Sequence, residues 1–377
     1  MNLLLTGGGT GGHVYPALAL AEAARRQDPA ARLLFAGSST GMEATLVPGA
    51  GVPFAGLVVR PPRGRAPGRV ALALATGAAS LGQAAAIVAR FRPDVIVATG
   101  GIAAAAPVFA GWAFRIPIVV LEGNAIPGRT NRVLARLSRL VAVTSEAAAR
   151  GFPGQRTVVT GLPVRREVTA AAREDGIRMF GLDPARRTVL VLGGSQGAVR
   201  LNRAAEDAVA HLASRHDLQI LHQVGRGWAA GGRVGGEPAQ ETRSGPLRYV
   251  RVPYIDRIGP AYACADLVVS RSGATAIAEI TACGKPAILV PYPHAAEDHQ
   301  THNAGPLVAA GAGVLVPDRA LDGEALARAI TRALDTPGRL EEMAARARAL
   351  GHPDAADRLL ALLASLCRRP AVREVPG

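Results

Sequence analysis

The stretch Gly7-Gly8-Gly9-Thr10-Gly11-Gly12-His13 constrains this chain more than any other. It follows the apolar run Leu3-Leu4-Leu5 and leads into Pro16-Ala17-Leu18-Ala19-Leu20-Ala21-Glu22, which reads as a helix. The pattern is a strand, a glycine-rich turn and a helix start. Glycines permit φ > 0 and let the backbone come close to a ligand. The unpaired N–H groups of a helix start hold an anion or a developing negative charge. His13 ends the turn, where a general base can reach a bound substrate; the alternative is an imidazole that only packs against the turn. Arg32-Leu33-Leu34-Phe35-Ala36-Gly37 supplies no acidic residue at the end of a second strand, so NAD binding is disfavoured.

The same alternation continues. Leu3–Thr6, Arg32–Ala36, Val95–Ala98, Ile118–Leu121 and Val141–Thr144 read as strands buried on both faces. Pro16–Gln27, Val70–Phe91, Ala103–Phe114 and Thr130–Leu137 read as the helices between them, which makes βαβ units and a parallel sheet. Gly161-Leu162-Pro163-Val164-Arg165 reads as a linker. A second α/β pattern follows, with strands at Thr188–Leu192, Leu218–Gln223, Leu267–Ser270 and Ala287–Val290. Its helices are expected at Val199–Ser214, Ala274–Cys283, Asn303–Ala310, Gly323–Leu334, Leu340–Leu350 and Ala355–Cys367. The stretch from Gly225 to Gly245 is rich in glycine and polar residues and reads as a mobile surface loop. At 377 residues the chain is long for one core. The expectation is an α/β protein of two Rossmann-like parallel-sheet domains facing a cleft, spanning residues 1–162 and 163–352, with a tail at 369–377. Ligands of open parallel sheets sit at the carboxyl ends of strands, so a nucleotide-linked substrate between the domains is expected.

The formal net charge of +14 points to an anionic partner: nucleic acid, an acidic lipid surface or a phosphorylated substrate. The arginines are dispersed, aromatics make up only 4%, and no zinc-finger, RRM or basic-zipper pattern occurs, which argues against nucleic acid. Cys264, Cys283 and Cys367 are far apart and odd in number, as incidental thiols of a reducing compartment are. The chain enters a strand at once, so no signal peptide is expected. Val70 to Ala89 carries no charged residue but is too weakly apolar for a membrane span. Arg63, Arg65 and Arg69 before it and Arg90 and Arg92 after it suit contact with anionic lipid. An ordinary core-facing helix is the alternative.

The second half carries its own constellation. Gly193-Gly194-Ser195-Gln196-Gly197 is another glycine turn after a strand. In Arg271-Ser272-Gly273-Ala274-Thr275-Ala276-Ile277-Ala278-Glu279, a strand ends at Ser270 and a helix N-terminus suited to phosphate follows. Glu279, about a turn and a half in, can accept hydrogen bonds from both hydroxyls of a ribose. Gln300 and Asn303, after the next strand, offer donors and acceptors to sugar hydroxyls. His299 and His302 stand three apart, but no third ligand of useful spacing is near, so no metal is expected.

Taken in order, Gly8-Gly9-Thr10-Gly11-Gly12-His13, Gly193-Gly194-Ser195-Gln196-Gly197-Ala198, Arg271-Ser272-Gly273-Ala274 and His299-Gln300-Thr301 with Asn303 resemble the MurG family. Those enzymes transfer GlcNAc from UDP-GlcNAc to muramyl-pentapeptide-pyrophosphoryl-undecaprenol in peptidoglycan synthesis. Met42-Glu43, Pro93-Asp94-Val95, Gly100-Gly101, Asn124 and Pro163-Val164-Arg165 agree as well, so the likeness runs from residue 2 to about residue 365. The resemblance implies the GT-B fold, inversion at the anomeric carbon and no bound metal or other cofactor. It implies that Thr10, Gly11 and Gly12 contact the donor or the acceptor diphosphate and that His13 is the base. Asn124 then reaches the GlcNAc, and Arg165 and Ser195 reach the diphosphate region, with Gln196 beside them. Ile255 meets the uracil through its backbone. The Arg271-Ser272-Gly273 turn and Ala274, Thr275, Ala276, Ile277 and Ala278 hold phosphate and ribose, with Glu279 on the ribose hydroxyls and Gln300 on the sugar. The C-terminal helix, residues 353–368, completes the N-terminal domain, which takes the acceptor at the cytoplasmic face of the membrane. The implied partners are UDP-GlcNAc, the polyprenyl-diphosphate-linked muramyl peptide and an anionic membrane surface. Ile102, Gly123 and Leu162 stand where the family usually has Tyr, Gln and Asn. An epimerase acting on UDP-GlcNAc shares the architecture and the donor, and is the rival reading.

Overall fold

The computed structural model describes residues 1–59, 67–194, 197–225 and 240–367, which divide into two compact units. Unit 1 comprises residues 1–123, 127–163 and, of the described residues, 354–367; unit 2 comprises 124–126 and 164–353.

Unit 1 is built on seven strands: β1 (Asn2–Thr6), β2 (Arg32–Ser38), β3 (Phe54–Leu57), β4 (Val95–Ala98), β5 (Ile118–Glu122), β6 (Leu140–Val143) and β7 (Thr157–Val159). Their order is β3-β2-β1-β4-β5-β6-β7, and every pairing is parallel. Leu3, Leu4 and Leu5 are all fully buried, although successive side chains point to opposite faces; both faces of β1 are therefore covered. This is why the central strands read as unbroken apolar runs. The sequence order reverses between β1 and β4, so the connections leave in opposite directions there and open a crevice at the carboxyl ends.

Unit 2 repeats the plan with β8 (Arg187–Leu192), β9 (Leu218–Gln223), β10 (Gln240–Ser244), β11 (Leu247–Val252), β12 (Leu267–Ser270), β13 (Ala287–Leu289) and β14 (Gly313–Leu315), ordered β10-β11-β9-β8-β12-β13-β14. Val189, Val191 and Val269 pack with the helices Val199–His211 and Gly323–Asp335, while Leu190 and Val268 pack with the helix Ile258–Cys264. The alternation assigns the two clusters to opposite faces. The switch point lies between β8 and β12.

Several elements differ from the sequence reading. The stretch 225–245 is not loop throughout: Gln240–Ser244 forms β10, antiparallel to β11, and 226–239 lies outside the described residues. An edge strand needs no apolar run, and Gln-Glu-Thr-Arg-Ser carries none. β3, β7 and β14 are three or four residues long and left no recognisable pattern. The first helix begins at Gly11 rather than Pro16, so the last two glycines of the turn are already helical. The helix expected from Asn303 begins at His299, and the one expected at Ala103–Phe114 is a 3₁₀ turn, Ile102–Ala104, followed by Ala105–Ala113.

The helix Ala355–Cys367 packs against the helix Gly11–Gln27 and β4. Asp357 accepts hydrogen bonds from Arg26 (2.7 Å) and Gln27 (2.8 Å), and Leu359, Leu360 and Leu363 are buried. The end of the chain is thus part of the unit that begins it; the tail 369–377 lies outside the described residues. Leu359→Ala is expected to destabilise unit 1 by ~2–5 kcal/mol, read as a lowered thermal midpoint.

Candidate active site

In unit 1 the turn after β1 meets the turn after β4. The Gly8 N–H donates to the Gly100 carbonyl at 3.2 Å. Gly100 and Gly101 both have positive φ (113° and 82°). A Cβ on Gly101 would collide with the Gly8 carbonyl, and one on Gly100 would lie 2.9 Å from His13 Nε2. Only glycine therefore lets the two turns close on the imidazole. His13 Nδ1 lies 2.8 Å from the Gly8 carbonyl oxygen and 3.3 Å from Thr10 Oγ1. A carbonyl only accepts, so Nδ1 carries the proton, and the neutral ring presents Nε2 as a base. Thr10 is the N-cap of the helix from Gly11, yet its side chain makes no capping bond and turns to His13. The first-turn N–H groups of Gly11 and Gly12 have no partner within the helix. Asn131, on the helix Arg129–Ala135, donates to the buried Glu122 at 2.9 Å, while its own Oδ1 is buried, unpartnered and 3.2 Å from where a Gly100 Cβ would sit.

In unit 2 the corresponding crevice lies between the ends of β8 and β12. Ser195 and Gln196 lie outside the described residues. The glycines on either side, Gly194 and Gly197, both have φ of 80°. Beneath this turn runs a chain of buried side chains. Asn202 Nδ2 donates to the Val224 carbonyl (2.7 Å), so its Oδ1 accepts from His222 Nε2 (3.2 Å), and His222 Nδ1 accepts from the Tyr249 hydroxyl (2.7 Å). Burial pushes the His222 pKa down to about 3, which keeps the ring neutral, as this proton inventory requires.

At the end of β12, Ser272 and Gly273 lead into the helix Ala274–Ala282. Among the described residues, the Ser272 and Thr275 hydroxyl oxygens are buried without a hydrogen-bond partner, beside the orphan N–H groups of the helix N-terminus. Two unsatisfied hydroxyls at the positive end of a helix dipole suit a phosphate. Ala274 and Ala276 add small side chains to that first turn, and Ile277 turns into the core. Glu279 Oε2 accepts the Tyr262 hydroxyl at 3.1 Å. Burial pushes the Glu279 carboxyl up to about 7, against the opposing charge of Arg165 and the Tyr262 hydrogen bond. Arg165 is itself paired with Glu167 at 2.6 Å.

Other sequence-derived candidates serve as fasteners. Asn303 Oδ1 accepts from Ala125 N–H (2.8 Å), and its Nδ2 donates to Asn124 Oδ1 (3.2 Å) and the Ser272 carbonyl (3.1 Å). Asn303 thereby joins Asn124 to the phosphate-suited turn. Arg271 is bound to Asp318 at 2.6 Å and to the Val290 and Pro291 carbonyls. The Ile255 N–H donates to Gln223, whose amide also donates to the Gly194 carbonyl, so only the Ile255 carbonyl is left for a base. Gln300 Oε1 accepts the Tyr292 N–H, which leaves its amide nitrogen as a donor. Ile102 is 46% exposed beside Gly101, while Leu162 is buried in unit 1. Sequence reasoning gave no role to Asn131, Gln223 or Tyr262, and met Glu43 only in the Met42-Glu43 pair that agrees with the MurG family. Among the described residues no cluster of His, Cys, Asp and Glu is arranged to hold a metal.

Models of the glycosyltransferase family 28 N-terminal and C-terminal domains match residues 3–143 and 188–359. The chain is 40% identical over 370 residues to the UDP-N-acetylglucosamine--N-acetylmuramyl-(pentapeptide) pyrophosphoryl-undecaprenol N-acetylglucosamine transferase of Desulfitobacterium hafniense strain Y51, covering 96% of this chain and 98% of that one. It is 41% identical over 378 residues to the transferase of the same name from Anaeromyxobacter sp. strain K, covering 98% and 94%. Among solved structures it is similar to Acinetobacter baumannii MurG, with TM-score 0.74, 27% identity, and 97% and 99% of the chains covered. A UDP-GlcNAc 2-epimerase from Neisseria meningitidis shares the fold at TM-score 0.67 and 12% identity, covering 97% and 100%.

The Glu279 carboxyl gives a pH signature. Its folded-state pKa of about 7 lies above the ordinary 4.5, so its contribution to stability is complete below 4.5 and lost as pH rises through about 7. Thermal unfolding of the free protein from pH 4.5 to 8 is expected to show that decline, and Glu279→Gln to flatten it.

Proposed function

The chain belongs to glycosyltransferase family 28 and, within it, to the MurG family, and from that premise we propose that it moves GlcNAc from UDP-GlcNAc to the C4 hydroxyl of undecaprenyl-diphosphate-linked muramyl-pentapeptide, with inversion. The observation that carries the reading is identity near 40% over almost the whole chain to curated transferases of that name. Similarity to the epimerase is one of fold alone and favours no second reading.

The step is a direct displacement. The C4 oxygen bonds to the anomeric carbon, its proton passes to His13 Nε2, and the bond from that carbon to the diphosphate breaks with its electron pair leaving on UDP. Imidazole is the side chain that most often serves as a general base near neutral pH. Unit 2 takes the donor. The turn Ser272-Gly273 and the N–H groups from Ala274 receive phosphate, Arg165 meets the diphosphate, and Glu279 receives the ribose hydroxyls. Helix N-termini and arginine stabilise the charge that develops on the leaving group, so the proposed step uses no metal or other cofactor. Ionised Glu279 is the better acceptor for a diol, so UDP is expected to bind more tightly as pH rises through about 7.

Unit 1 takes the acceptor at an anionic membrane surface, on the cytoplasmic face. The helices Pro67–Phe91 and Ala105–Ala113 pack together, and Leu81, Phe109, Trp112 (58% exposed) and Phe114 stand out to solvent with Arg90, Arg92 and Arg115 exposed beside them in sequence. Arg63 and Arg65 lie outside the described residues. Among the described residues no helix is long and apolar enough to cross a membrane, so contact of this kind is peripheral.

UDP release from UDP-GlcNAc is expected only when the lipid-linked acceptor is present. Free sugar or an epimer formed from UDP-GlcNAc alone would overturn the proposal. His13→Ala is expected to lower turnover by about 10²–10⁴-fold, the contribution of a general base. Near-normal turnover would remove His13 from that role. Vesicles of anionic lipid are expected to co-sediment the protein at low salt and release it at high salt. Failure to bind at low salt would refute the membrane surface.

A further inference from the structure

Glu43 is fully buried, the first residue of the helix Glu43–Gly49 that follows β2. A carboxylate in that position requires hydrogen-bond donors. Its Oε2 accepts the Gly9 N–H at 3.1 Å and its Oε1 the Ser38 N–H at 3.0 Å. Gly8, Gly37 and Gly41 line the space around it, and a Cβ on any of them would run into the Glu43 side chain. The carboxylate thus lies directly beneath the first glycine turn.

The Gly9 N–H and the Gly8 carbonyl belong to the same peptide group. Its carbonyl oxygen is the one 2.8 Å from His13 Nδ1. The hydrogen bonds therefore run without a break from the Glu43 carboxylate, to the Gly9 N–H, through the Gly8 carbonyl, to Nδ1–H of the ring that presents Nε2. We propose that Glu43 is a positioning residue for His13, acting through the one peptide group that joins Gly8 to Gly9. The inference rests on the reading of His13 as the base.

The physical reason has two parts. An anion at the N–H end of a peptide polarises it and makes its carbonyl a stronger acceptor, since hydrogen bonds in series reinforce one another. The same bond fixes the orientation of the peptide plane in a turn where Gly9 has a φ of 83° and neither flanking glycine has a side chain to restrain it. In free histidine the neutral ring favours the proton on Nε2, which would occupy the lone pair the reaction needs. A carbonyl held firmly against Nδ1 reverses that preference. The arrangement parallels a carboxylate that orients a catalytic histidine directly, with a peptide group interposed.

Glu43→Gln keeps the size and shape of the side chain but places an NH₂ against one of the two N–H donors. Its expected effects are a kcat lower by about 10- to 100-fold, the range typical of outer positioning groups, and an unchanged KM for UDP-GlcNAc. The decisive readout is the ¹⁵N spectrum of the His13 ring at a pH where it is neutral. In the unaltered protein the proton is expected on Nδ1, and in Glu43→Gln the Nε2-protonated form is expected to grow several-fold. A wild-type ring protonated on Nε2 overturns the proposal, whether or not Glu43→Gln folds. A Glu43→Gln protein with wild-type kcat and a wild-type ring spectrum overturns it as well. The spectrum needs no turnover. If His13→Ala remains active, the base assignment fails, while the link between Glu43 and the ring is still decided separately.

Discussion

A parallel strand buried on both faces has to surrender its chain to a helix at its carboxyl end, and at that point backbone groups lose their ladder partners. In each unit this happens beside a second strand whose connection leaves the other way, at β1 with β4 and at β8 with β12. In the crevice that results, helix N-termini and unpaired N–H groups collect. The glycine turn with His13 and the Ser272-Gly273 helix start are attached to two of these ends.

The two crevices are furnished differently. In unit 1, glycines bring two turns so close that an imidazole is clamped between Gly8, Gly100 and Gly101 with one nitrogen committed to a carbonyl. In unit 2 the corresponding turn rests on a neutral, fully hydrogen-bonded chain of Tyr249, His222 and Asn202. Among the described residues there, the hydroxyls of Ser272 and Thr275 are buried and unsatisfied. A base held in one proton arrangement suits proton abstraction, whereas buried hydroxyls lacking a partner suit an anion. The proposed reaction therefore assigns the acceptor to unit 1 and the donor to unit 2.

Burial also adjusts groups in unit 2. Glu279 is a carboxylate on a helix that elsewhere would titrate as an ordinary acid, but desolvation moves it to about 7 despite Arg165 and Tyr262. Tyr262, fully buried and next to Glu279, is pushed upward and stays a donor. Asn303 is the contrary case: its amide bonds Ala125, Asn124 and Ser272. Its value to the site lies in holding those residues together.

The sequence by itself determined the strand–turn–helix order, because apolar runs buried on both faces and glycine-rich turns are local patterns with local causes. It singled out His13, the Ser272-Gly273 helix start and Glu279 as candidates, since each stands at a fixed offset from such a turn. It did not disclose β3, β7, β10 or β14, short edge strands whose pairing comes from their neighbours rather than from any run of their own, nor β11, an interior strand whose apolar positions are broken by Arg248 and Arg251. Nor did it reveal what touches the turns. Glu43 meets Gly9 from 34 residues away, Asn303 meets Asn124 from 179, and Gln223 joins Gly194 to Ile255. Those contacts were decided by the tertiary structure, because a buried polar group has to find its partners among whatever the fold brings within reach.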